Sequence, residues 1–276
     1  MFGRHTARMP KSSTRPDRRR AFFASTAWLV GPLLPMNSVL ARVLIDDPQI
    51  DALAEHLVSG RHNARERAVV LHDFVRDEIR FGFTPHFYAM PASDVLAARI
   101  GYGQTKATLF IALLRAVGIE ARQQFVDLDA AVWRGLLDLH TPFVDHSYTE
   151  VRLSGAWIPT DSYVVDMPLF RAAQTALRAR HAACGFGIVA TGRAEWDGRS
   201  PAFVQFPVDA PAMSRHRWGV FNDVAAFYEA TPEAWNRRTD AMRVVHPLAA
   251  LTANQAAEAL RSGGPSAAHG RLHARA

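Results

Sequence analysis

Apolar positions recur three and four residues apart over the first part of the chain that reads as folded. Ile50, Leu53, Ala54, Leu57 and Val58 form one stripe, with Asp47 placed to cap a helix, Pro48 at its first position and Gly60 as its stop. Asn63 and Glu66 have capping-box spacing ahead of a second helix, whose expected apolar line is Val70, Phe74, Val75 and Ile79. A loop containing Pro85 and Pro91 leads to a short helix expected over 93–99. Residues 106–118 combine strong helix formers, few polar positions and a closing glycine, which predicts a central, mostly buried helix. A strand is expected over 119–125, then a loop or helical insertion over 129–143.

The period then drops to two. The stretch from His146 to Asp161 reads as a β-hairpin turning at Ser154-Gly155, which makes Leu153 oppose Ala156. Extended along both strands, that register sets Tyr148 opposite Asp161 and His146 opposite Tyr163. One face carries His146, Tyr148, Glu150, Arg152, Trp157, Pro159 and Asp161; the other carries Ser147, Thr149, Val151, Leu153, Ala156 and Ile158. His146 and Asp161 become diagonal neighbours on one face, and a slip of one residue would separate them. Beyond the hairpin the pattern predicts a helix over 165–180, short strands with Gly-rich turns over 184–206, and helices around Pro232 and Pro247. The sum is an α+β fold: N-terminal helices and one buried central helix packed on an antiparallel sheet.

Composition narrows the functional classes. The 276 residues, 49% hydrophobic and 21% charged, suit one good-sized core. The pI near 10.1 suggests a nucleic-acid partner until the charge is located. Residues 1–20 hold seven basic side chains and one acidic one, which accounts for the whole net charge of +6, so the remainder sums to zero and offers no phosphate-neutralising stripe. No apolar run reaches the roughly 18–20 residues of a membrane-spanning helix. Cys184 is the single cysteine, so an intramolecular disulfide and a Cys-rich zinc site are both excluded. The twelve histidines lack ligand spacing, and neither a metal nor a cofactor is expected.

Three segments follow: an extension over 1–43, a domain over 44–262 and a Gly/Ser/Ala-rich tail over 263–276 expected to be disordered. The extension has the plan of a twin-arginine-like export signal in residues 1–41, with Arg19-Arg20-Ala21-Phe22, an apolar stretch and a small-residue site at Ala41. The alternative is translation from Met36 and a cytoplasmic protein.

A histidine beside an aspartate is half of a nucleophilic site: the carboxylate orients the imidazole, and the imidazole activates a thiol or hydroxyl. The thiol would stand best at a helix N-terminus, and the Gly101-Tyr102-Gly103 turn ahead of Lys106 offers one. Four sequence blocks, Ala92-Ser93-Asp94-Val95-Leu96, Gly101-Tyr102-Gly103-Gln104, Thr105-Lys106-Ala107-Thr108-Leu109-Phe110 and Ala112 through Ile119 with Ala121-Arg122, resemble the bacterial transglutaminase-like domain family of the papain-like superfamily. His146 through Val151 and Trp157 through Asp161 resemble its second and third blocks, and the similarity spans residues 45–165.

The resemblance implies Cys-His-Asp acyl transfer to an amine or to water, with His146 as general base and Asp161 as orienting acid. It also implies a cysteine that this chain lacks. Counting back from Lys106 puts the nucleophile at Gly103; counting forward from Gly101 puts it at Thr105. A two-residue deletion between Gln104 and Thr105 would reconcile the two counts. The expected function is therefore a catalytically impaired domain that binds a peptide or protein segment in the remnant cleft. The alternatives are an active amidase, peptidase or acyltransferase with Thr105 or Cys184 as displaced nucleophile, and a decayed or mis-sequenced relative of such enzymes. Thr105 is expected to cap the helix, Cys184 to be an inert core thiol, and Tyr148 and Trp157 to pack beside the pair.

Overall fold

The computed structural model describes residues 47–84, 90–137, 139, 141–205, 214–221 and 223–263. The expected extension over 1–43 and the tail beyond residue 263 lie outside the described residues.

Helix α1 (Pro48–Val58) starts as its sequence dictates, with the Asp47 carboxylate accepting from Gln49 N at 2.8 Å. Helix α2 (Ala64–Glu78) is capped by Asn63, whose Oδ1 accepts from Glu66 N at 2.9 Å, while the Glu66 carboxylate accepts from the Asn63 side-chain Nδ2 at 2.8 Å and from His62 N at 3.2 Å in place of the expected Asn63 backbone N–H. Its buried line is Ala68, Leu71, His72, Val75 and Arg76, while Val70 and Phe74 are only half-buried. Of the expected apolar line, Val75 and Ile79 are fully buried, while the places of Val70 and Phe74 are taken by Leu71 and His72 on the adjacent side of the helix. His72 and Arg76 enter the interior because each finds hydrogen-bond partners there, and hydrophobicity counting cannot register that. Strand β1 (Arg80–Phe81) pairs in parallel with β2 (Ile100–Gly101), on either side of the short helix α3 (Ala92–Ala98).

Helix α4 (Gly103–Ala116) is the centre of the molecule. It begins three residues before the expected start at Lys106 and packs against α1, α2, α3 and the sheet. Leu109, Phe110, Leu113 and Leu114 are fully buried, each stabilising by roughly 1.5–3 kcal/mol. Lys106 is fully buried as well, donating to the carbonyls of Ile79 at 2.6 Å and Arg76 at 3.3 Å. It thereby serves carbonyls that the end of α2 leaves without helical partners. Burial lowers its amine to about 7, against a weaker opposing pull from Asp166.

Strands β3 (Ala121–Asp129), β4 (Phe143–Leu153), β5 (Ala156–Thr160) and β8 (Ser214–Phe221) form the main sheet. Its order is β5-β4-β3-β8, antiparallel throughout. The hairpin has the expected register, with Leu153 opposite Ala156, Val151 opposite Ile158 and Thr149 opposite Thr160. Positive φ at both Ser154 (52°) and Gly155 (84°) gives the turn whose twist suits a two-residue connection. Strand β3 runs four residues past its expected end at 125, and β8, which sequence patterning did not identify, closes the sheet's other edge.

Residues 130–133 form a 3₁₀ turn (Ala130–Trp133), followed after the hairpin by α5 (Met167–Ala179) and the small hairpin β6 (Cys184–Gly185) and β7 (Ile188–Val189). Helix α6 (Val224–Ala230) stacks Phe227 on Phe125 at 4.0 Å. Helix α7 (Pro232–Arg261) continues through Pro247 instead of breaking there, and its Arg261 grips Asp166 and the Phe81 carbonyl. Among the described residues no helix is long and apolar enough to cross a membrane.

Candidate active site

His146 sits on β4 and Asp161 one residue past the end of β5. The hairpin register brings them together: His146 Nε2 lies 3.1 Å from Asp161 Oδ2. Both are interior, with 4% of His146 and none of Asp161 exposed. Cross-strand pairing stops at Thr160, so Asp161 is not held by β4. The chain turns away there to meet a distant segment, with Thr160 bridging to Ala202 and Asp161 N donating to the Ala202 carbonyl at 3.1 Å. The Asp161 carboxylate then accepts from Val204 N at 2.5 Å and Gln205 N at 3.3 Å. Two backbone amides and the imidazole fix its orientation, and Asp161 in turn assigns the ring proton to Nε2.

The other ring nitrogen faces the first residue of α4. A Cβ built on Gly103 would lie 3.4 Å from His146 Nδ1, 3.5 Å from Cε1 and 3.7 Å from Gln205 Oε1. Gln205 is fully buried; its Nε2 donates to the Gly187 carbonyl at 2.9 Å, and its Oε1 has no hydrogen-bond partner among the described residues. The helix end is held on both sides. Gln104 Nε2 and the Tyr228 hydroxyl both donate to Asp145 Oδ2, at 2.7 and 2.5 Å, which ties the first turn of α4 to β4 and α6.

Thr105 serves the helix end differently from expectation. The cap residue is Tyr102, and Thr105 stands three residues inside, accepting from Tyr102 N at 3.0 Å and donating to Tyr102 O at 3.1 Å. Both hydrogen bonds hold its hydroxyl on the turn.

Cys184 lies on the β6–β7 hairpin, half-buried. Burial raises its thiol above the ordinary value; Asp129 raises it further and Arg134 opposes. That environment disfavours the thiolate a nucleophile needs. Tyr148 packs edge-on against Phe203, and Trp157 is covered by Arg122 at 4.0 Å, consistent with packing roles. Among the described residues no group of three or more His, Cys, Asp or Glu side chains is gathered for a metal ion.

Sequence reasoning missed Gln205 and the two amides that hold Asp161, because they lie 43 and 44 residues along the chain from it and no spacing rule links them. It also missed a second buried histidine. His72 Nε2 meets Ser162 Oγ at 2.7 Å, Nδ1 meets Asp73 at 2.9 Å, and Ser162 continues to Thr160 Oγ1 at 2.7 Å. The only available signal was a histidine inside an amphipathic helix, which by itself indicates nothing.

Comparison with known proteins bears on the same part of the chain. Residues 51–162 match the model of the transglutaminase-like superfamily. Among solved structures, a candidate cysteine protease from Cytophaga hutchinsonii aligns at 21% identity and TM-score 0.35, covering 45% of this chain and 40% of that one. A candidate protease from Parabacteroides distasonis aligns at 14% identity and TM-score 0.34, covering 45% of this chain and 24% of that one. The aligned part is therefore less than half the length of either. No curated protein matches this chain. Residues 51–162, which hold the central helix, the hairpin and both members of the His–Asp pair, are thus the part of the chain that is similar to the transglutaminase-like superfamily.

Proposed function

We propose that this is a transglutaminase-like domain without the covalent route, in which His146 and Asp161 are the remnant base and orienting acid and Gly103 occupies the nucleophile's place. The observation that carries the reading is the distance of 3.4 Å from a Cβ at Gly103 to His146 Nδ1. A cysteine there would put its sulfur beside the basic nitrogen, at the end of a buried helix where N–H groups and the macrodipole favour a thiolate. A glycine supplies no such atom. The spatial slot thus agrees with the count back from Lys106. The expected gap between Gln104 and Thr105 would fall within the first turn of α4, and it is the second reading of the missing sulfur.

Without a thiol, no acyl-enzyme forms, and what remains is binding. The ligand class we propose is a peptide or protein segment that presents a carboxamide or amide to the amino end of α4. The His–Asp pair is almost wholly enclosed, so only a slender group, such as one side-chain carboxamide, would reach it.

The displaced-nucleophile reading is weakened by the two hydrogen bonds on Thr105 and by the raised thiol of Cys184. An electrophilic thiol probe applied to the native protein tests the proposal. Labelling no faster than that of a free cysteine is expected; rapid labelling of Cys184, lost in Cys184→Ala, would overturn it.

A further inference from the structure

We infer that the outer edge of β1 is a docking site for an extended peptide carrying an arginine, and that helix α7 is the strap that occupies this edge. The inference deepens the reading above and rests on it for the class of ligand, a peptide segment, but it uses neither His146 nor Gly103. On its inner edge the strand pairs with β2: Arg80 N donates to the Arg99 carbonyl at 3.0 Å, and Gly82 N to the Gly101 carbonyl at 2.9 Å. Phe81 and Phe83 alternate with those residues, so their N–H and C=O groups serve the opposite edge, where a further strand would lie.

Side chains stand there instead. Asn254 of α7 accepts from Phe83 N and donates to Phe83 O, both at 2.8 Å. Arg261 donates to Phe81 O at 2.7 Å, and Asp166 accepts from Phe81 N at 2.9 Å. One amide bonded to both groups of Phe83 repeats the bonding that a residue of an added strand would make. Glu258 pairs with Arg80, so Asn254, Glu258 and Arg261 follow the strand from one face of α7. Gly82 permits the close approach, since a Cβ there would lie 2.8 Å from Asn254 Oδ1.

The arginine follows from Asp166. This carboxylate caps α5, is 3% exposed, and has Arg261 as its main counter-charge, with Lys106 a weaker one. A buried carboxylate stripped of its partner is costly, so whatever displaces α7 must bring a cation. A guanidinium suits best, because it can bond the carboxylate and the Phe81 carbonyl together, as Arg261 does. The edge also adjoins the proposed cleft: the Phe83 ring stacks on Tyr102, the cap of α4, at 5.5 Å.

The test is the fluorescence anisotropy of a fluorescein-labelled peptide, Thr-Val-Thr-Arg-Thr-Val-Thr, titrated with the full chain, with hydrogen exchange at the Phe81 and Phe83 amides read in parallel. Asn254→Ala frees both groups of Phe83. Glu258→Arg sets like charge against Arg80 and Arg261, and serves if Asn254→Ala fails to fold. Each variant should exchange the Phe83 amide faster and bind the peptide at least about tenfold more tightly than the native chain, as an equilibrium moved toward the open edge requires. Bound peptide should restore protection at Phe83. N-methylation of alternate peptide amides should abolish the gain, and replacing the peptide's arginine by glutamine should reduce it. Faster exchange without tighter binding, unchanged exchange in both variants, or an equal gain for the N-methylated peptide would overturn the inference. The thiol-probe result is separate: rapid labelling of Cys184 beside tighter peptide binding would sink only the reading above, and an inert Cys184 without the gain would sink only this one.

Discussion

Two buried histidines, each beside an aspartate, have different surroundings in this molecule. His72 is walled by Phe110, Tyr163 and Trp196, and both its nitrogens are engaged by Ser162 and Asp73. Its carboxylate partner is on the surface, with 44% of the Asp73 side chain exposed. His146 shows the reverse arrangement: its partner Asp161 is fully buried and gripped by backbone amides, and its other nitrogen faces a glycine at a helix end. A His–Asp contact alone therefore identifies nothing. What separates a site from a packing device is what the second nitrogen faces and how firmly the carboxylate is held.

Removing each ring breaks or sharpens that contrast. His72→Ala should destabilise the fold by about 3 kcal/mol, since it opens a cavity among three aromatics and strips the Ser162 hydroxyl of a partner. His146→Ala should cost only about 1 kcal/mol, because the Asp161 carboxylate keeps its two amides. Equal losses in chemical denaturation would erase the distinction.

A second contrast is in pH. Burial lowers the His72 imidazole below its ordinary 6.5, so as pH falls beneath that value the unfolded chain takes up a proton that the folded one refuses. Stability is lost in that window, and His72→Phe should lose that part of the acid slope. Lys106 acts on the alkaline side. Its amine falls from 10.5 to about 7 on folding, so stability rises with pH between those values, where the unfolded chain still holds a proton that the folded one has released. The gain is at most about 1.4 kcal/mol per pH unit, and Lys106→Met should flatten it in urea titrations spanning that window. Smallest of all, Asp73→Asn should shift stability by less than about 1 kcal/mol, as its carboxylate is half in water.

The hairpin was legible in the sequence because its information is local: a two-residue turn fixes the register, and alternation fixes the faces. Helix α4 was legible for a similar reason, down to its buried side. Its first turn was not, since Gly101-Tyr102-Gly103 reads as a turn while the packed face of the helix extends the α conformation back to Gly103. On the function proposed above, the two counts toward the nucleophile disagree because counting back from Lys106 follows the regular rise of a helix, whereas counting forward crosses a turn whose length sequence does not fix. The clamp on Asp161 and strand β8 depend on partners far along the chain, and no periodicity reports such pairing. His72 and Lys106 were hidden because their burial is permitted by hydrogen bonds, not by hydrophobicity.

The central claim, that Gly103 stands where a nucleophile would be activated, is tested most directly by Gly103→Cys. The measurement is the iodoacetamide alkylation rate of the introduced thiol at neutral pH, compared with Cys184 in the same chain and repeated with His146→Ala. The account predicts that the introduced thiol reacts at least about tenfold faster than Cys184 and loses that advantage without the imidazole, as a thiolate paired with histidine should. An introduced thiol no more reactive than Cys184, alongside a fast thiol when Cys-Asn is inserted between Gln104 and Thr105, would contradict it.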